Sequence, residues 1–506
     1  MMKQIKKGAA LSYLNIILKN LVNIFYTPLL IHLAGQNNFG IYQLTAQTIA
    51  TLSLLSMGFS GAYIHFFWIE SKKGDQYVRK LNGTYLKMFA AISLVALVFG
   101  TLITIFSSTF FGKTFDTSEL QVAKIMLGVM TLNTVVAFIS TVFDSYIVAN
   151  QRFVFQQSRI MATTVLQPLI IVPLLLCGFS VIAVSVVQLI TSVLLLLLNI
   201  RFALTHLNME FDLKTKMGPT AKLVFSFSGF LLINDIVDLA NNNLPGVLVG
   251  SLLGPASVAI YAIVIQIRNI FFQLSLALSN VFIPRINKMF SESASNEEFT
   301  DVMVEVGRAQ LLILLFVYGG FIVVGRFFIQ VWAGHGFEQA YWMLIITLFP
   351  ALVPLSQNVG IEVQRAKNMH KFRSVVLGLL ALVNMAMTYL LLKTIGLPGS
   401  IFGYVFSLSI GNGLLINLYN HFVVGLDMVK FWKSTAKLII GSAISVAFGV
   451  LLQMFVRVDD LFTFVIVGLL YMIAFFGVWY VWSSNDKEKA YVNELSRGKV
   501  FKDEKV

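Results

Sequence analysis

Fourteen apolar runs, each long enough to cross a bilayer, follow one another along this 506-residue chain. A transmembrane helix needs about 20 predominantly apolar residues, and the runs have roughly that length. The series predicts an all-α polytopic membrane protein. The predicted spans are 9–32, 41–68, 88–111, 125–148, 160–177, 180–200, 223–252, 258–284, 309–332, 341–363, 374–392, 397–423, 438–456 and 461–482.

The composition excludes the common soluble classes of protein. Apolar residues make up 57% of the chain and charged residues 12%, and the mean hydropathy is +0.80. Soluble proteins average about 45–50% apolar and about 25% charged residues. A soluble fold could not cover so much apolar surface with so few charges. Soluble enzymes, nucleic-acid binders and disordered scaffolds are therefore excluded.

Positive charge alternates between successive loops. The formal net charge is +13, from 37 Lys and Arg against 24 Asp and Glu. If the N-terminus is cytoplasmic, 30 of the 37 cations fall on cytoplasmic segments, where Lys and Arg accumulate. This predicts a cell-membrane protein with both termini in the cytoplasm. The outer segments and outer helix ends hold only Lys113, Lys124, Arg326, Lys393 and Arg457.

The loops are too short to hold a soluble catalytic domain, since none exceeds about 25 residues. A membrane polymerase or ligase would need a sizeable outer loop. A passive channel would need a continuous polar path, and outside the first and seventh spans no comparable polar stripe occurs. The sequence also lacks metal-ligand spacing and nucleophile–base arrangements. We therefore expect a transporter without a cofactor, whose function lies between its helices.

An internal repeat relates the two halves of the chain at an offset of 219 residues. The offset covers six spans, an even number, so both halves keep the same orientation, as in parallel repeats about an axis along the membrane normal. We predict an N-lobe at 1–205, a C-lobe at 206–425, two further helices at 426–484 and a cytoplasmic tail at 485–506. The matching pairs are Asn15/Asn234, Ile17/Ile236, Asn23/Asn242, Gly35/Gly254, Ile41/Ile260, Tyr42/Tyr261, Gln47/Gln266 and Arg152-Phe153/Lys371-Phe372.

Polar residues recur on one face of the first span and of the seventh. Helical steps of three and four residues place side chains on the same face. The offset places Lys19 on Asp238, so equivalent positions carry opposite charges. The two stripes contain Ser12, Asn15, Lys19, Asn23 and Tyr26, and Asn234, Asp235, Asp238, Asn241 and Asn242.

Four charges are predicted to lie near the bilayer midplane: Lys19, Asp235, Asp238 and Arg268. Facing lipid, each would cost about 2.5–3.5 kcal/mol on insertion scales. One interpretation is structural, with Arg268 pairing with either aspartate. The other is a polar cavity between the lobes, in which amides bind sugar hydroxyls and cations bind phosphate. Glu362, near a cytoplasmic helix end, is either a solvated acid or a participant in ion coupling.

Several diffuse patterns over residues 5–480 make the chain resemble the polysaccharide-biosynthesis flippases of the O-antigen and capsule type. These flippases belong to the multidrug/oligosaccharidyl-lipid/polysaccharide (MOP) exporter superfamily. The resemblance rests on the combination and on the two-lobed layout. The patterns are Leu33-Ala34-Gly35 with Phe39-Gly40-Ile41-Tyr42, Asn150-Gln151-Arg152-Phe153, Leu253-Gly254 with Ile260-Tyr261, Pro284-Arg285-Ile286, and Val331-Trp332-Ala333-Gly334.

The resemblance implies a substrate, an oligosaccharide unit on a polyprenyl diphosphate, moved by alternating access. It also implies a cation-rich cavity, a role that would fall on Lys19 and Arg268, with Arg152 and Lys371 at the cytoplasmic mouth. Membrane lipid and polysaccharide assembly machinery are the implied partners. The midplane charges here sum to zero, which leaves Asp235 and Asp238 able to bind a coupling proton or sodium ion.

A drug/cation antiporter of the same superfamily is the alternative. Such antiporters use acids in the cavity to exchange ions for organic cations, and Asp235 and Asp238 would suit that role. Lys19 suits it less, because it would repel a cationic drug. The two helices after the repeat also favour flippases over twelve-helix antiporters.

Overall fold

The computed structural model describes residues 2–56, 58–214, 224 and 235–496, and that part of the chain is helical with no strand. Thirteen of its helices are long and apolar enough to cross a membrane. They correspond to thirteen of the predicted spans, which confirms the all-α membrane fold. The remaining span, 223–252, lies partly outside the described residues.

The chain divides into two compact units, each made of two separate stretches. The first unit comprises Met1–Ile263 with Ala381–Gly403, and the second comprises Val264–Leu380 with Tyr404–Val506. The predicted lobes at 1–205 and 206–425 stay a prediction.

The helices are α1 Met2–Ala34, α2 Gln36–Ala50, α3 Phe59–Ser71, α4 Asp75–Phe111, α5 Thr117–Ala149, α6 Phe153–Leu176, α7 Ile182–His206, α8 with described residues 235–242, α9 Leu244–Leu253, α10 Pro255–Ser291, α11 Asn296–Ala333, α12 Glu338–Ser356, α13 Asn358–Ala366, α14 Lys371–Ile395, α15 Gly399–Ser407, α16 Ile416–Tyr419, α17 Met428–Phe455, α18 Leu461–Val478 and α19 Asp486–Ser496.

Two glycines at the predicted repeat offset separate consecutive helices in the same way. Gly35 lies between α1 and α2 with φ 83°, and Gly254 lies between α9 and α10 with φ 86°. Glycine adopts positive φ without steric cost, so both helices end at these positions. The local geometry of the first unit therefore repeats at the 219-residue offset.

Several helices extend well beyond the apolar runs that predicted them. α4 has 37 residues, about 55 Å at 1.5 Å per residue, whereas the hydrocarbon core is about 30 Å thick. Capping boxes begin α5 at Asp116 and α11 at Ser295. Each box satisfies backbone N–H groups at the helix start. The helices thus begin at polar caps outside the apolar segments.

The core of the first unit lies among α3, α4, α5 and α7. The fully buried Phe59, Tyr63, Tyr85 and Phe89 form its centre. The Tyr63 hydroxyl donates to the Asn82 side chain at 2.5 Å. This bond satisfies the tyrosine's polar group, as buried hydroxyls require. Large apolar side chains such as those on α6 and α7 remain exposed, as expected for surfaces that face lipid.

The second unit packs α11 against α12, α17 and α18. α12 contains Pro350 and Pro354 and ends at Ser356, and α13 begins two residues later. Proline removes a backbone donor and interrupts helices, which explains why the predicted span 341–363 is divided. Stretches with wider π-helical turns, Leu408–Leu415 and Asn420–Val424, follow α15 and α16.

Candidate functional site

Lys19 lies on α1 of the first unit with an exposed side chain. Fifteen residues separate it from Ala34, where the helix ends, which corresponds to about 22 Å. Lys19 therefore lies inside the membrane-spanning part of α1, whose candidate span is Leu14–Ala34. An exposed ammonium at this depth needs water or an anion beside it.

The amides of the α1 stripe differ in their surroundings. Asn15 is only 8% exposed, and its side-chain nitrogen donates to the Gln157 backbone carbonyl at 3.0 Å and to the Gln157 side chain at 2.6 Å. These bonds join α1 to α6. Asn23 is half-buried. The structure thus gives Asn15 a contact between helices, and its predicted role in substrate binding stays a prediction.

The acidic stripe lies on α8, also in the first unit. Asp235 and Asp238 are exposed, whereas Asn241 and Asn242 are half-buried. Asn384 on α14 donates from its side-chain nitrogen to the Asn241 side-chain oxygen at 2.8 Å. Asn234 lies outside the described residues. Like Lys19 in α1, Asp238 stands fifteen residues before a helix end, here that of α9, so both charges occupy equivalent positions of the repeat.

Arg268 lies on α10 in the second unit and is 2% exposed. Its guanidinium carbon is 4.4 Å from the centroid of the Tyr404 ring. A guanidinium stacked on an aromatic face gains a cation–π attraction, which is larger when both groups are desolvated. Tyr404 was not among the residues indicated by sequence patterns, since its contact with Arg268 joins positions far apart in the chain.

The predicted cytoplasmic mouth consists of two exposed cations at helix starts. Arg152 immediately precedes α6, and Lys371 is the first residue of α14. Glu362 on α13 accepts from the Arg365 side chain at 2.7 Å. This local pair gives Glu362 a structural contact, and its predicted part in ion coupling stays a prediction.

An ion pair that the sequence did not indicate joins α5 to α6. Arg159 donates to Asp144, and Gln156 donates to the other carboxylate oxygen at 3.2 Å. The Arg159 side chain is 10% exposed. The sequence did not indicate this pair, because hydropathy carries no information about the partner of a charge.

Comparisons with known proteins agree with this architecture. The model of the polysaccharide biosynthesis protein family matches residues 29–341. No curated protein sequence matches the chain.

Three solved structures similar to the chain are transporters. The lipid II flippase MurJ in an inward closed conformation has a TM-score of 0.74 at 15% identity, with 96% of this chain and 99% of that chain covered. An inward-facing multidrug resistance MATE family transporter of the MOP superfamily has a TM-score of 0.62 at 12% identity, covering 80% and 94%. The MATE multidrug transporter DinF-BH has a TM-score of 0.57 at 13% identity, covering 85% and 96%.

At these identities the structural similarity establishes the fold, and the family follows from the sequence match. That match covers more than half of the chain and agrees with the resemblance seen in its sequence patterns. The chain belongs to the polysaccharide biosynthesis protein family and has the fold of MOP-superfamily transporters.

Proposed function

We propose that this protein is a flippase. It moves an oligosaccharide repeat unit, linked to a polyprenyl diphosphate, from the cytoplasmic to the outer leaflet of the cell membrane by alternating access. Family membership and the fold shared with the lipid II flippase support this assignment. Its termini lie in the cytoplasm. The oligosaccharide that it delivers to the outer leaflet is used for surface polysaccharide assembly.

The observation that carries the proposal is the exposure of Lys19, Asp235 and Asp238 on helices of the first unit. In hydrocarbon each charge would cost about 2.5–3.5 kcal/mol on insertion scales. They therefore line a water-filled path. Lys19 attracts the diphosphate, and Asn23 on α1 and Asn242 on α8 provide hydrogen bonds to sugar hydroxyls.

We also assign Arg268, Arg152 and Lys371 to substrate binding. Exposed Arg152 and Lys371 attract the anionic head group at the cytoplasmic mouth, where long side chains still reach water. Arg268 is held in place by Tyr404 and contributes a fixed positive charge. The acids of α8, with Glu362 as a further candidate, bind the coupling proton or sodium ion that drives the cycle.

Lipid analysis of cells that lack the protein tests the proposal. We expect polyprenyl-diphosphate-linked oligosaccharide to accumulate in the cytoplasmic leaflet while surface polysaccharide is lost. Wild type should restore both. Lys19→Ala should fail to restore them at an unchanged amount of membrane-inserted protein, whereas Lys113→Ala, which removes an exposed loop lysine, should succeed.

The opposite results identify which part of the proposal is wrong. Normal transport by Lys19→Ala would remove Lys19 from the path and leave the flippase assignment intact. If no lipid-linked oligosaccharide accumulated and the cells became sensitive to cationic dyes, the drug/cation antiporter would replace the flippase, with Asp235 and Asp238 as the exchange site.

A further inference from the structure

A cavity of about 710 Å³, called the polar cavity because arginine, glutamine and aspartate side chains line part of it, opens in the second unit among the ends of α11, α12 and α17 that are predicted to lie outside. The positions of the lining residues along their helices show where this cavity lies. The α11 residues belong to the last three turns before Ala333, the α12 residues to its first two turns, and the rest to the end of α17 and the following loop. The side chains that give it chemical character are Arg326, Gln330, Trp342, Gln453, Arg457 and Asp459.

Two arginines and one aspartate give the cavity lining a net charge of +1, and Glu338 of α12 also interacts electrostatically with Arg326. Arg326 and Arg457 are both exposed, and neither forms an ion pair within the described residues. Asp459 offsets one of the two charges in the lining. Few cations occur on the predicted outer side, so two in one cavity are notable. A guanidinium presents several N–H donors that match phosphate oxygens.

Aromatic residues place this cavity at the depth of lipid head groups. Tyr341 donates from its hydroxyl to the Ile322 carbonyl at 2.7 Å, which anchors α12 to α11. Trp342 is 61% exposed beside it. Tyrosine and tryptophan are enriched where the hydrocarbon meets water. The cavity is thus at the level where an outer-leaflet phosphate would lie.

An apolar cavity of about 840 Å³ adjoins the polar one. The two share Ile322 and Val450 in their linings. Along α17 the apolar lining extends from Trp432 to Val450, eighteen residues or about 27 Å. That length is close to the thickness of the hydrocarbon core, about 30 Å, so an acyl chain of an outer-leaflet lipid would fill about the outer half of this cavity, the half nearest Val450. The pair of cavities therefore has one charged end and one long apolar end.

We propose that these adjoining cavities bind an anionic glycerophospholipid of the outer leaflet. Its phosphate accepts hydrogen bonds from Arg326 and Arg457, and an acyl chain occupies the apolar cavity. The charge of the head and the continuity with the apolar cavity both match an amphiphile, whereas a soluble anion would use only the polar part. The site lies wholly within the second unit and does not depend on the substrate that the protein transports.

Native mass spectrometry of the full chain in detergent, titrated with phosphatidylglycerol, tests the proposal. Arg326→Gln with Arg457→Gln should weaken the tightest phosphatidylglycerol binding by about tenfold or more, since hydrogen bonds to charged groups are the strong ones. Lys393→Gln removes an exposed outer cation of the first unit and should leave binding unchanged. Equal binding by wild type and the double variant would overturn the proposal.

A second variant tests the chain-binding half without touching a charge. Ala447 lines the apolar cavity and is exposed, so Ala447→Phe adds bulk there without overpacking the core. It should also weaken phosphatidylglycerol binding, and an unchanged affinity would contradict occupation of this cavity by an acyl chain.

Two competitors distinguish other ligands of the same chemistry. Inorganic phosphate at millimolar concentration should not displace phosphatidylglycerol, and displacement would make this a site for soluble anions. A polyprenyl phosphate that displaced phosphatidylglycerol at equimolar concentration would identify the carrier lipid as the occupant and overturn the assignment to a glycerophospholipid.

Discussion

Arg308 on α11 and Glu488 on α19 form a two-point ion pair. The Arg308 Nε donates to Glu488 Oε1 at 2.7 Å, and Nη2 donates to Oε2 at 2.9 Å. The same guanidinium donates to the Ser434 carbonyl and, at 2.9 Å, to the Ser483 carbonyl. Arg308 is 5% exposed. One buried cation thus joins α11, α17 and the last helix of the described chain.

Removing the carboxylate charge should loosen α19. Breaking a buried pair leaves an uncompensated charge and costs about 3–5 kcal/mol, and we expect the lower end because Glu488 is partly exposed. Glu488→Gln should therefore accelerate tryptic cleavage after Lys487 and Lys489. Glu297→Gln, which removes an exposed partner of Lys430, should not. Equal cleavage of Glu488→Gln and wild type would show that α19 is held by other contacts.

The acids of α8 are expected to couple transport to an ion gradient. Asp238→Asn should leave the amount of membrane protein unchanged, since Asp238 is exposed, and should abolish the response of transport to an imposed proton or sodium gradient. Flux measured in vesicles with each gradient separately is the test. Asp75→Asn, an exposed acid at the start of α4, serves as the control. A gradient response retained by Asp238→Asn would remove this residue from coupling.

Gly40 on α2 should tolerate no side chain. A Cβ there would overlap the backbone carbonyl of Pro255, at the start of α10. Overpacking of this kind costs about 1–3 kcal/mol, so Gly40→Ala should lower the melting temperature in detergent. Gly61→Ala on α3 meets no atom within 4 Å and should raise it slightly, because alanine favours helix. A melting temperature that Gly40→Ala leaves unchanged would contradict this close approach of α2 and α10.

Asp460 precedes α18 and makes its start sensitive to acid. The Thr463 backbone N–H donates to the Asp460 carboxylate at 2.8 Å, and this bond lowers the pKa of the carboxyl below its usual value. The stabilisation is therefore complete above the ordinary aspartate pKa of about 3.9 and is lost as the pH falls below it. Thermal unfolding of wild type should show this loss as the pH is lowered through and below that ordinary value.

Asp460→Asn provides the matched comparison for that titration. Asparagine caps helices about as well as aspartate but does not titrate. The melting temperature of wild type relative to Asp460→Asn should therefore fall as the pH is lowered, and a difference that is constant with pH would rule out this carboxylate as the cause.

Local pattern alone determined the membrane fold. Thirteen helices occur where apolar runs of about 20 residues predicted them, because the cost of burying polar backbone in lipid acts on each segment independently. The matching helix ends of the repeat also depend on local sequence. Gly35 and Gly254 both have positive φ, because a short motif sets the conformation of each helix end. The predicted placement of Lys19, Asp235, Asp238 and Arg268 in one polar cavity stays a prediction, and Arg268 is buried.

Tertiary structure alone decided which charges and amides have partners. Asn15 bonds Gln157, Arg159 pairs with Asp144, and Arg308 pairs with Glu488 across 180 residues. Each contact depends on the rotation of a helix about its axis and on the neighbour that packs there. The hydropathy pattern predicts how deep a residue lies in the bilayer, but it does not predict which groups its side chain contacts. The sequence therefore determined the spans and the charges they contain, and packing decided which side chains and carbonyls those charges contact.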